Sequence, residues 1–450
     1  MTASLRQRTD ASGTTAPATA SGDRDRGPAS VGWIALAAAA VALVACFIVG
    51  RRLQADGYRL FTLLPPLTGR FDPRLPLATL LPVTVAIGVL LGGPRAARRL
   101  GWGSFVAVAG IAALAWSTSL AAVDGAAGFL GPVLRDGDYL AGLRFVDAPG
   151  PFLERFVDTI ATYPTHVRAH PPGLVVGMWW LERIGLGGGA WTAAFEHLAA
   201  SVAVPAVLVT VREVASATVA RRVAPFLILT PAAVAAASGD AIFLGVGAWS
   251  VAALVLATGR SAGSRSSVVW SAVGGLLAGA GLFLTYGSVL VGVVPLAVIV
   301  ARRRFDVAAI AAVGVGVVAV PFAAAGFSWW DGLTATRQQY ALSVARSRPY
   351  AYYLVANLAA FSVALGPTVV AAVPRLRDRR LWLLVGGGVA AVLLADVSGL
   401  SKAEVERIWL PFVPWIAVAA AIYRDRDVVP WLAAQAGWAL AVQLLVRSLW

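Results

Sequence analysis

The chain has 450 residues, of which 58% are hydrophobic and 13% are charged, and its formal net charge is +14. A soluble domain carries about 25% charged residues, so this composition excludes a soluble globular protein. It also argues against nucleic-acid binding, because the basic residues lie in segments between long apolar runs and form no basic face or tail. The sequence therefore predicts an all-α polytopic membrane protein.

Residues 1–30 are rich in small and polar residues and contain four arginines, which predicts a disordered cytoplasmic tail. The remaining chain predicts about 13 transmembrane helices, within a range of about 11 to 14. The apolar segments lie at about 31–50, 77–92, 103–123, 191–211, 223–238, 241–257, 267–284, 288–301, 307–325, 352–373, 381–397, 408–423 and 428–447. The single cysteine, Cys46, lies inside the first segment, so no intramolecular disulfide is predicted.

The segment 172–186 decides the topology, because it is apolar but short and contains two charged residues. If it is a re-entrant or interfacial helix, 21 basic residues fall on the side of the N-terminus and 16 on the other. If it crosses, the two counts become 14 and 23. Cytoplasmic loops carry the excess of Lys and Arg, so the first arrangement is favoured and the N-terminus is predicted to be cytoplasmic.

The longest hydrophilic segment is then an exterior loop, 124–171, that follows the third span. Asp124 stands where that span ends, so it is either a helix-end residue turned toward water or a general base poised by partial desolvation. Asp136 and Asp138 are turn residues that also suit contact with an acceptor or a metal. A long loop in so apolar a chain is typical of a functional segment.

The same loop ends in a run that holds two of the three histidines, His166 and His170. Their spacing suits a metal pair on a helix, but the prolines around them argue against a helix, so no zinc site is predicted. Arg168 lies between them and is either a phosphate ligand or an interfacial arginine that reaches toward water. The sequence identifies no cofactor and leaves a divalent cation as an open alternative.

Two further exterior segments, 327–350 and 398–407, carry charges that run against the positive-inside trend. Arginines in the first suggest an anionic ligand, whereas the second is either an internal ion-pair cluster or part of a donor-phosphate site. The candidate site residues of these segments are Arg337, Arg346, Arg348, Lys402, Glu404, Glu406 and Arg407.

The order of several motifs resembles the GT-C superfamily of membrane glycosyltransferases. These motifs are an Asp after an early span, His170-Pro-Pro-Gly173 before a short apolar helix, Ser238-Gly-Asp240, and Thr285-Tyr286-Gly287. The likeness is to the branch of protein O-mannosyltransferases and lipid A aminoarabinose transferases. The stretch from Glu404 to Phe412 is similar to actinobacterial members, mycobacterial methylthioxylose transferase among them.

The resemblance implies an inverting glycosyltransferase of the plasma membrane that takes a sugar from a polyprenyl phosphate and passes it to a cell-envelope glycan, lipid or protein outside. It implies a GT-C-like catalytic region at 103–325, preceded by two N-terminal spans at 31–102 and followed by a C-terminal membrane region at 326–450. Asp124 would be the base. Residues Arg168, His170, Lys402 and Arg407 would hold the lipid phosphate, and Asp240 and Tyr286 would belong to the donor site, although tyrosine replaces the motif lysine.

Two other classes of function stay open at the level of sequence. A carrier or flippase for a lipid-linked sugar or small solute should show ionisable residues near mid-span and an internal repeat. Here the carboxylates lie mainly at predicted span ends, and the halves 31–240 and 241–450 show no convincing repeat. A noncatalytic scaffold would use the long exterior loop as a docking surface.

Overall fold

The computed structural model describes residues 27–448, which fold almost entirely into helices. The fold confirms an all-α polytopic membrane protein. Most of the predicted tail at 1–30 lies outside the described residues, and the first helix already begins at Ala29.

In chain order the first eleven helices are α1 Ala29–Ala55, α2 Leu80–Arg99, α3 Trp102–Ala122, α4 Ala126–Val133, α5 Pro149–Arg155, α6 Thr165–Arg168, α7 Gly173–Arg183, α8 Gly188–Val214, α9 Ala217–Ile228, α10 Gly239–Thr258 and α11 Arg265–Leu284. The others are α12 Ser288–Val291, α13 Val293–Arg302, α14 Phe305–Ala324, α15 Trp329–Leu342, α16 Tyr350–Leu365, α17 Pro367–Ala372, α18 Arg379–Val397, α19 Val405–Ile408, α20 Val413–Ala417 and α21 Val428–Leu445.

Short 3-10 turns connect or extend these helices, at Leu77–Thr79, Leu140–Phe145, Ile160–Thr162, Pro231–Ala235, Val344–Ser347, Val373–Arg375, Leu410–Phe412, Val418–Ile422 and Asp425–Asp427. Two short strands, β1 Arg70–Phe71 and β2 Val446–Arg447, pair antiparallel with Arg70 opposite Arg447. This pairing joins the segment between the first two helices to the end of the described chain.

Within residues 27–448, nine helices are long and apolar enough to cross a membrane: α1, α2 with its preceding 3-10 turn, α3, α8, α10, α11, α14, α18 and α21. The pair α16 and α17, bent by 106°, makes a tenth if it is one span. The sequence prediction of about 13 spans therefore exceeds the number of unbroken helices. The segments near 223–238, 288–301 and 408–423 form shorter helices and 3-10 turns.

Prolines and glycines explain these broken segments. Pro225 lies inside α9, Gly292 separates α12 from α13, and Pro411 and Pro414 interrupt the segment from Leu410 to Ile422. Proline removes a backbone donor and clashes with the preceding turn. Irregular backbone at membrane depth is tolerated where other helices cover it, and residues 413–422 are fully buried.

The ends of the helices gather into two polar faces. The arginine face is defined by Arg221, Arg222, Arg302 and Arg304, which contact chain segments remote in sequence. Arg221 donates to the carbonyl oxygens of Ala97 and Leu100 at 2.9 Å each, and Arg302 donates to the Glu213 carboxylate at 3.4 Å. Arg222 donates to the Ala421 oxygen at 3.2 Å, so the broken segment from Leu410 also ends here.

The loop face lies at the opposite helix ends and is defined by Asp124, Asp138, Asp240 and Arg407. The Arg407 guanidinium is paired with Asp240 at the start of α10, so the broken segment that follows Arg407 begins at this face. That segment runs from the loop face to the arginine face and therefore crosses despite its irregular backbone. The same holds for Ser288–Arg302, since Ser288 packs beside Gly281 and Arg302 reaches Glu213.

Helix α7 stays on the side of the loop face. Gly173, at the start of α7, packs against the Phe283 backbone near the end of α11. Gly189, at the start of the next helix α8, packs against Leu134 of the loop 124–171. Its 11 residues span about 16 Å, well short of the roughly 30 Å hydrocarbon core. The segment 172–186 is therefore a short helix that does not cross, so Arg221, Arg222, Arg302 and Arg304 all lie on the opposite face.

Helix α10 lies at the centre of the bundle, and most of its residues are buried. It runs parallel to α8, where Gly245 packs against the backbone of Ala199. A side chain at Gly245 would collide with that backbone, so glycine permits the close approach of the two helices. By contrast α1 is only 11% buried and exposes apolar side chains such as Trp33 and Ile34, which suits contact with lipid.

Cysteine labelling tests the two faces. In a Cys46→Ala background, Asp136→Cys and Arg337→Cys should react with an impermeant maleimide from one side of the membrane, because both side chains are exposed at the loop face. Arg265→Cys and Arg379→Cys should react from the other side. Labelling of Arg265→Cys from the same side as Asp136→Cys would contradict the arrangement.

Candidate functional site

The loop 124–171 forms a folded cap on the loop face. Its aromatic side chains pack together: Phe152 and Phe156 are fully buried, and Tyr163 stacks on Phe156 with ring centroids 5.1 Å apart. Phe156 also meets Phe327 from the segment after α14 at 5.6 Å. This packing fixes the backbone that leads to the two histidines.

Asp138 and His166 form a hydrogen-bonded pair within this cap. The His166 Nδ1 atom lies 2.9 Å from Asp138 Oδ2, while Asp138 Oδ1 accepts a hydrogen bond from the Tyr139 backbone at 2.6 Å. The Asp138 side chain is 7% exposed and that of His166 is 27% exposed. A carboxylate bound to Nδ1 orients the imidazole and favours the tautomer whose Nε2 accepts a proton. The sequence had placed both residues among the site candidates, and the structure brings them together.

His170 lies beside this pair. Its ring packs between Tyr139 and Phe243, with ring centroids 5.7 Å and 5.3 Å away, and its buried Nδ1 has no hydrogen-bond partner among the described residues. Burial lowers the pKa of His170 to about 3, and His166 and Arg407 add to the effect. His170 is therefore neutral at physiological pH. It offers hydrogen bonding to a ligand but no positive charge for the phosphate role that the resemblance implies.

Arg407 is buried at the centre of the site, where it pairs with Asp240 and donates to Glu404 Oε2 at 3.1 Å. Burial lowers the pKa of Arg407, but the two carboxylates outweigh it and the net shift is upward. Burial likewise raises the pKa of Glu404, and Arg407 and Arg348 more than offset it, so the net shift is downward. Both partners are therefore held in their charged forms.

These groups share one electrostatic neighbourhood. Tyr139 lies among these groups. Its buried ring packs on His166 with ring centroids 5.5 Å apart, and its hydroxyl interacts electrostatically with Asp240, Asp138 and Arg407. Burial is the main cause that raises the pKa of Tyr139, and the two aspartates add to it. We call the set of Asp138, Tyr139, His166, His170, Glu196, Asp240, Glu404 and Arg407 the charged cluster.

Glu196 belongs to this cluster and was not among the candidates from sequence. It lies in α8, is fully buried, and neither carboxylate oxygen has a hydrogen-bond partner among the described residues. Its neighbour His197 contacts Ser117 at 3.1 Å and packs on Phe129. The signal in the sequence was the pair Glu196-His197, which is ionisable and lies inside an apolar segment.

Asp124, the predicted base, lies in a separate ion-pair group. Arg74 donates to both of its oxygens at 2.7 Å and 2.9 Å, and Gln443 donates to Oδ2 at 2.9 Å. Arg447 approaches Oδ1 at 3.6 Å. Both oxygens thus accept hydrogen bonds from protein donors, which leaves less of the carboxylate's hydrogen-bonding capacity for an acceptor hydroxyl. This group of contacts joins three parts of the chain: the segment between α1 and α2, the end of α3, and the end of α21 with strand β2.

The basic candidates fall into two groups. Lys402 donates to the carbonyl oxygens of Ala345 and Arg348 at 3.1 Å and 3.2 Å, while Arg348 is buried and donates to Leu60 and to Lys402. These two side chains tie neighbouring loops together. Within the described part of the chain, the side chains of Arg168, Arg337 and Arg346 have no hydrogen bond or ion pair, so they can bind an anion.

The other candidates are dispersed. Asp136 is exposed beside the Asp138 turn. Glu406 accepts from the Thr68 backbone at 2.9 Å, and burial raises the pKa of Glu406. Tyr286 packs on Trp329 with ring centroids 5.2 Å apart. Across residues 27–448, no three His, Cys, Asp or Glu residues are placed to hold a metal ion.

Two crystal structures are similar to this chain: ArnT from Cupriavidus metallidurans in the apo state, and the same protein bound to undecaprenyl phosphate. Each is 16% identical in sequence, with a TM-score of 0.41 over 68% of this chain. The chain covers 59% of the length of each. No protein-family profile and no curated protein sequence matches the chain.

The buried ion pair predicts a large effect on stability. Arg407→Leu would leave Asp240 buried without its cationic partner, which typically costs about 3–5 kcal/mol. Thermal unfolding of the purified protein should therefore show a clearly lower Tm, whereas Arg337→Leu, at an exposed site, should leave the Tm unchanged. The double variant Asp240→Leu, Arg407→Leu should recover part of the loss, and an additive loss would contradict the coupling.

The neutral state of His170 predicts a pH dependence of stability. In the unfolded chain a histidine has a pKa near 6.5, whereas burial lowers the pKa of His170 in the folded chain to about 3. The unfolded chain therefore gains a proton that the folded chain does not, and stability falls as the pH drops below about 6.5. The difference in Tm between pH 8 and pH 5 should be smaller in His170→Gln, and an identical difference would contradict the burial effect.

Proposed function

We propose that this protein is an inverting glycosyltransferase that uses a polyprenyl-phosphate sugar and acts at the extracytoplasmic face of the membrane. The observation that carries the proposal is the Asp138–His166 pair at the loop face, in a cap that also bears Arg168, whose side chain has no hydrogen bond or ion pair among residues 27–448. A base beside cationic groups suits transfer from a phosphate leaving group. The motif order in the sequence supports the same class.

The orientation follows from the distribution of arginines. The arginine face lies on the side where the first helix begins, and this side carries 21 of the 37 basic residues when the N-terminal segment is included. Cytoplasmic loops carry such an excess, so we assign the arginine face and the N-terminus to the cytoplasm. The loop face is then extracytoplasmic, where nucleotide sugars are absent and a lipid-linked donor is the natural source of a sugar.

The chemistry needs one base and several positive charges. His166, oriented by Asp138, removes the proton from an acceptor hydroxyl, and the acceptor oxygen attacks the anomeric carbon of the donor. The bond from that carbon to the phosphate oxygen breaks, and the configuration at the carbon inverts. Polyprenyl phosphate leaves with the electron pair, and Arg168 stabilises its charge with a bidentate contact that suits phosphate. The acceptor is a glycan, lipid or protein of the cell envelope.

The identity of the base separates this proposal, in which Asp138 orients His166, from the one based on sequence position, in which Asp124 is the base. Asp138→Asn and His166→Ala should lower the rate of sugar transfer by about 10²-fold or more, because general bases typically contribute that much. Asp147→Asn is the matched control, since Asp147 lies in the same cap but is exposed and pairs only weakly with Arg155 at 3.4 Å. The measurement is release of polyprenyl phosphate by purified protein in lipid nanodiscs.

Two results would revise the proposal. Full activity of Asp138→Asn together with loss of activity in Asp124→Asn would move the base to Asp124. Turnover of nucleotide sugars in place of polyprenyl-phosphate sugars would reject the donor class.

A carrier for a lipid-linked sugar is the second candidate, and the buried carboxylates Glu196 and Asp240 inside helices favour it. Asp240 is neutralised by Arg407, however, and Glu196 lies near the loop-face end of α8 rather than midway between the faces. Reconstituted vesicles distinguish the two functions. A carrier moves the lipid-linked sugar across the bilayer intact, whereas a transferase separates sugar from lipid on one side.

A further inference from the structure

A surface pocket of about 470 Å³ lies where α1 ends on the side of the loop face. Its volume is in the range of pockets that bind small-molecule ligands, about 300–1,000 Å³. Two arginines line it: Arg51, near the end of α1, and Arg59, from the segment that follows. None of its lining residues belongs to the charged cluster, so the pocket is separate from the proposed catalytic site.

The position of Arg51 along α1 places the pocket at the edge of the hydrocarbon core. Helix α1 starts at the arginine face, where Gly32 packs against Arg375 and the Arg375 guanidinium lies over the ring of Tyr423. The apolar residues 31–50 of this helix span about 30 Å, which is the thickness of the hydrocarbon core. Arg51 is the next residue, so it lies at the level of the phosphate groups of the lipids.

Hydrogen bonds hold the segment after α1 in place, so the pocket is preformed. Gln54 donates from Nε2 to the Thr62 carbonyl oxygen at 2.7 Å, which folds the segment back onto the end of the helix. The Leu60 carbonyl oxygen accepts from Arg348 Nε at 2.9 Å and from the Tyr353 hydroxyl at 3.3 Å. A preformed pocket loses little conformational entropy when it binds a ligand.

The two arginines have unused hydrogen-bonding capacity. The exposed side chain of Arg59 makes no hydrogen bond or ion pair with any of residues 27–448. Arg51 is also exposed and donates to Gln54 Oε1 at 3.1 Å, which uses one of the five donors of its guanidinium. Within the described part of the chain, no acidic side chain lines the pocket. Two guanidinium groups without an acidic neighbour in the lining suit a phosphate.

Exposed apolar side chains complete the lining. Tyr58, Phe61 and Leu63 all line the pocket and are all exposed. Phe61 has a φ of 53°, a left-handed conformation that is unfavourable for a bulky residue, and such strain is typical of segments that contact a ligand. Arginines beside apolar and aromatic side chains at the membrane boundary match a phospholipid, in which a phosphate and acyl chains meet at that level.

We propose that this pocket binds an anionic phospholipid, with Arg51 and Arg59 on the phosphate and with Phe61 and Leu63 against the adjoining acyl chains. The inference goes beyond the proposed function and uses it only to assign the lipid to the outer leaflet. Arg52 provides the comparison, because it is exposed on the same helix at the same depth but does not line the pocket. An arginine that merely reaches toward the headgroups would behave like Arg52.

Native mass spectrometry of the detergent-purified full chain tests the site. The protein is mixed with equal amounts of phosphatidylglycerol, which is anionic, and phosphatidylcholine, whose ammonium group the arginines repel, and the number of retained molecules of each lipid is counted. The variants are Arg51→Gln, Arg59→Gln and the double variant, with Arg52→Gln as the matched control. Glycerol phosphate and undecaprenyl phosphate are added in separate competition experiments.

The native chain should retain phosphatidylglycerol in preference to phosphatidylcholine. One arginine near an anionic lipid surface contributes about a fivefold gain in affinity, so each single variant should lose about that factor and the double variant should lose the preference altogether. Arg52→Gln should keep the preference of the native chain. The Tm of each variant without added lipid should match that of the native chain, because all three side chains are exposed.

Four results would overturn the inference. An equal preference in the native chain and the double variant would show that the pocket does not bind the lipid, and the same loss in Arg52→Gln would show a general effect of charge. Displacement of phosphatidylglycerol by glycerol phosphate at equal concentration would assign the pocket to a soluble phosphate ester. Stronger retention of undecaprenyl phosphate than of phosphatidylglycerol, lost in the double variant, would assign it to the lipid of the proposed donor.

Discussion

The buried ion pair between Arg407 and Asp240 is the contact on which the loop face depends. A guanidinium at this depth is stable because Asp240 and Glu404 both surround it and compensate for lost hydration. The pair joins α10, the most buried of the nine long apolar helices between residues 27 and 448, to α19 and hence to the irregular segment that follows. This contact fixes the segment that follows Arg407, against which the cap with Asp138 and His166 can pack. The charged cluster lies between the cap and that segment.

The same constraint accounts for the irregular helices. In a bilayer every backbone polar group needs a partner, so a broken helix survives only when protein covers it. The residues around Trp415, between the two faces, are fully buried, whereas the continuous helix α1 exposes its apolar side chains. The irregular backbone of this segment therefore lies inside the bundle, as the central helix α10 does, whereas α1 lies at the surface of the bundle.

Hydropathy and charge predict the class of fold, the approximate positions of the apolar segments and the short helix near 172–186, because these properties are local in sequence. The sequence and its family resemblance give Asp138, His166, Asp240 and Arg407 as candidates, but they do not predict that these residues lie close together. Asp124 illustrates the limit: its partners Arg74, Gln443 and Arg447 come from opposite ends of the chain. Position at a span end cannot distinguish a free carboxylate from one already occupied by arginines.

Glu196 shows a second limit of prediction from sequence, because what distinguishes it is the lack of a hydrogen-bond partner among the described residues. The sequence contains the carboxylate inside an apolar segment, but only packing shows that it is enclosed and has no donor among the described residues. Asp240 and Glu196 lie at nearly the same depth, but their carboxylates have different surroundings. Asp240 is neutralised by Arg407 and stabilises the fold, while Glu196 has no such partner and costs stability. Glu196 and His170 both belong to the charged cluster that contains the Asp138–His166 pair, and neither contacts the Asp124 group.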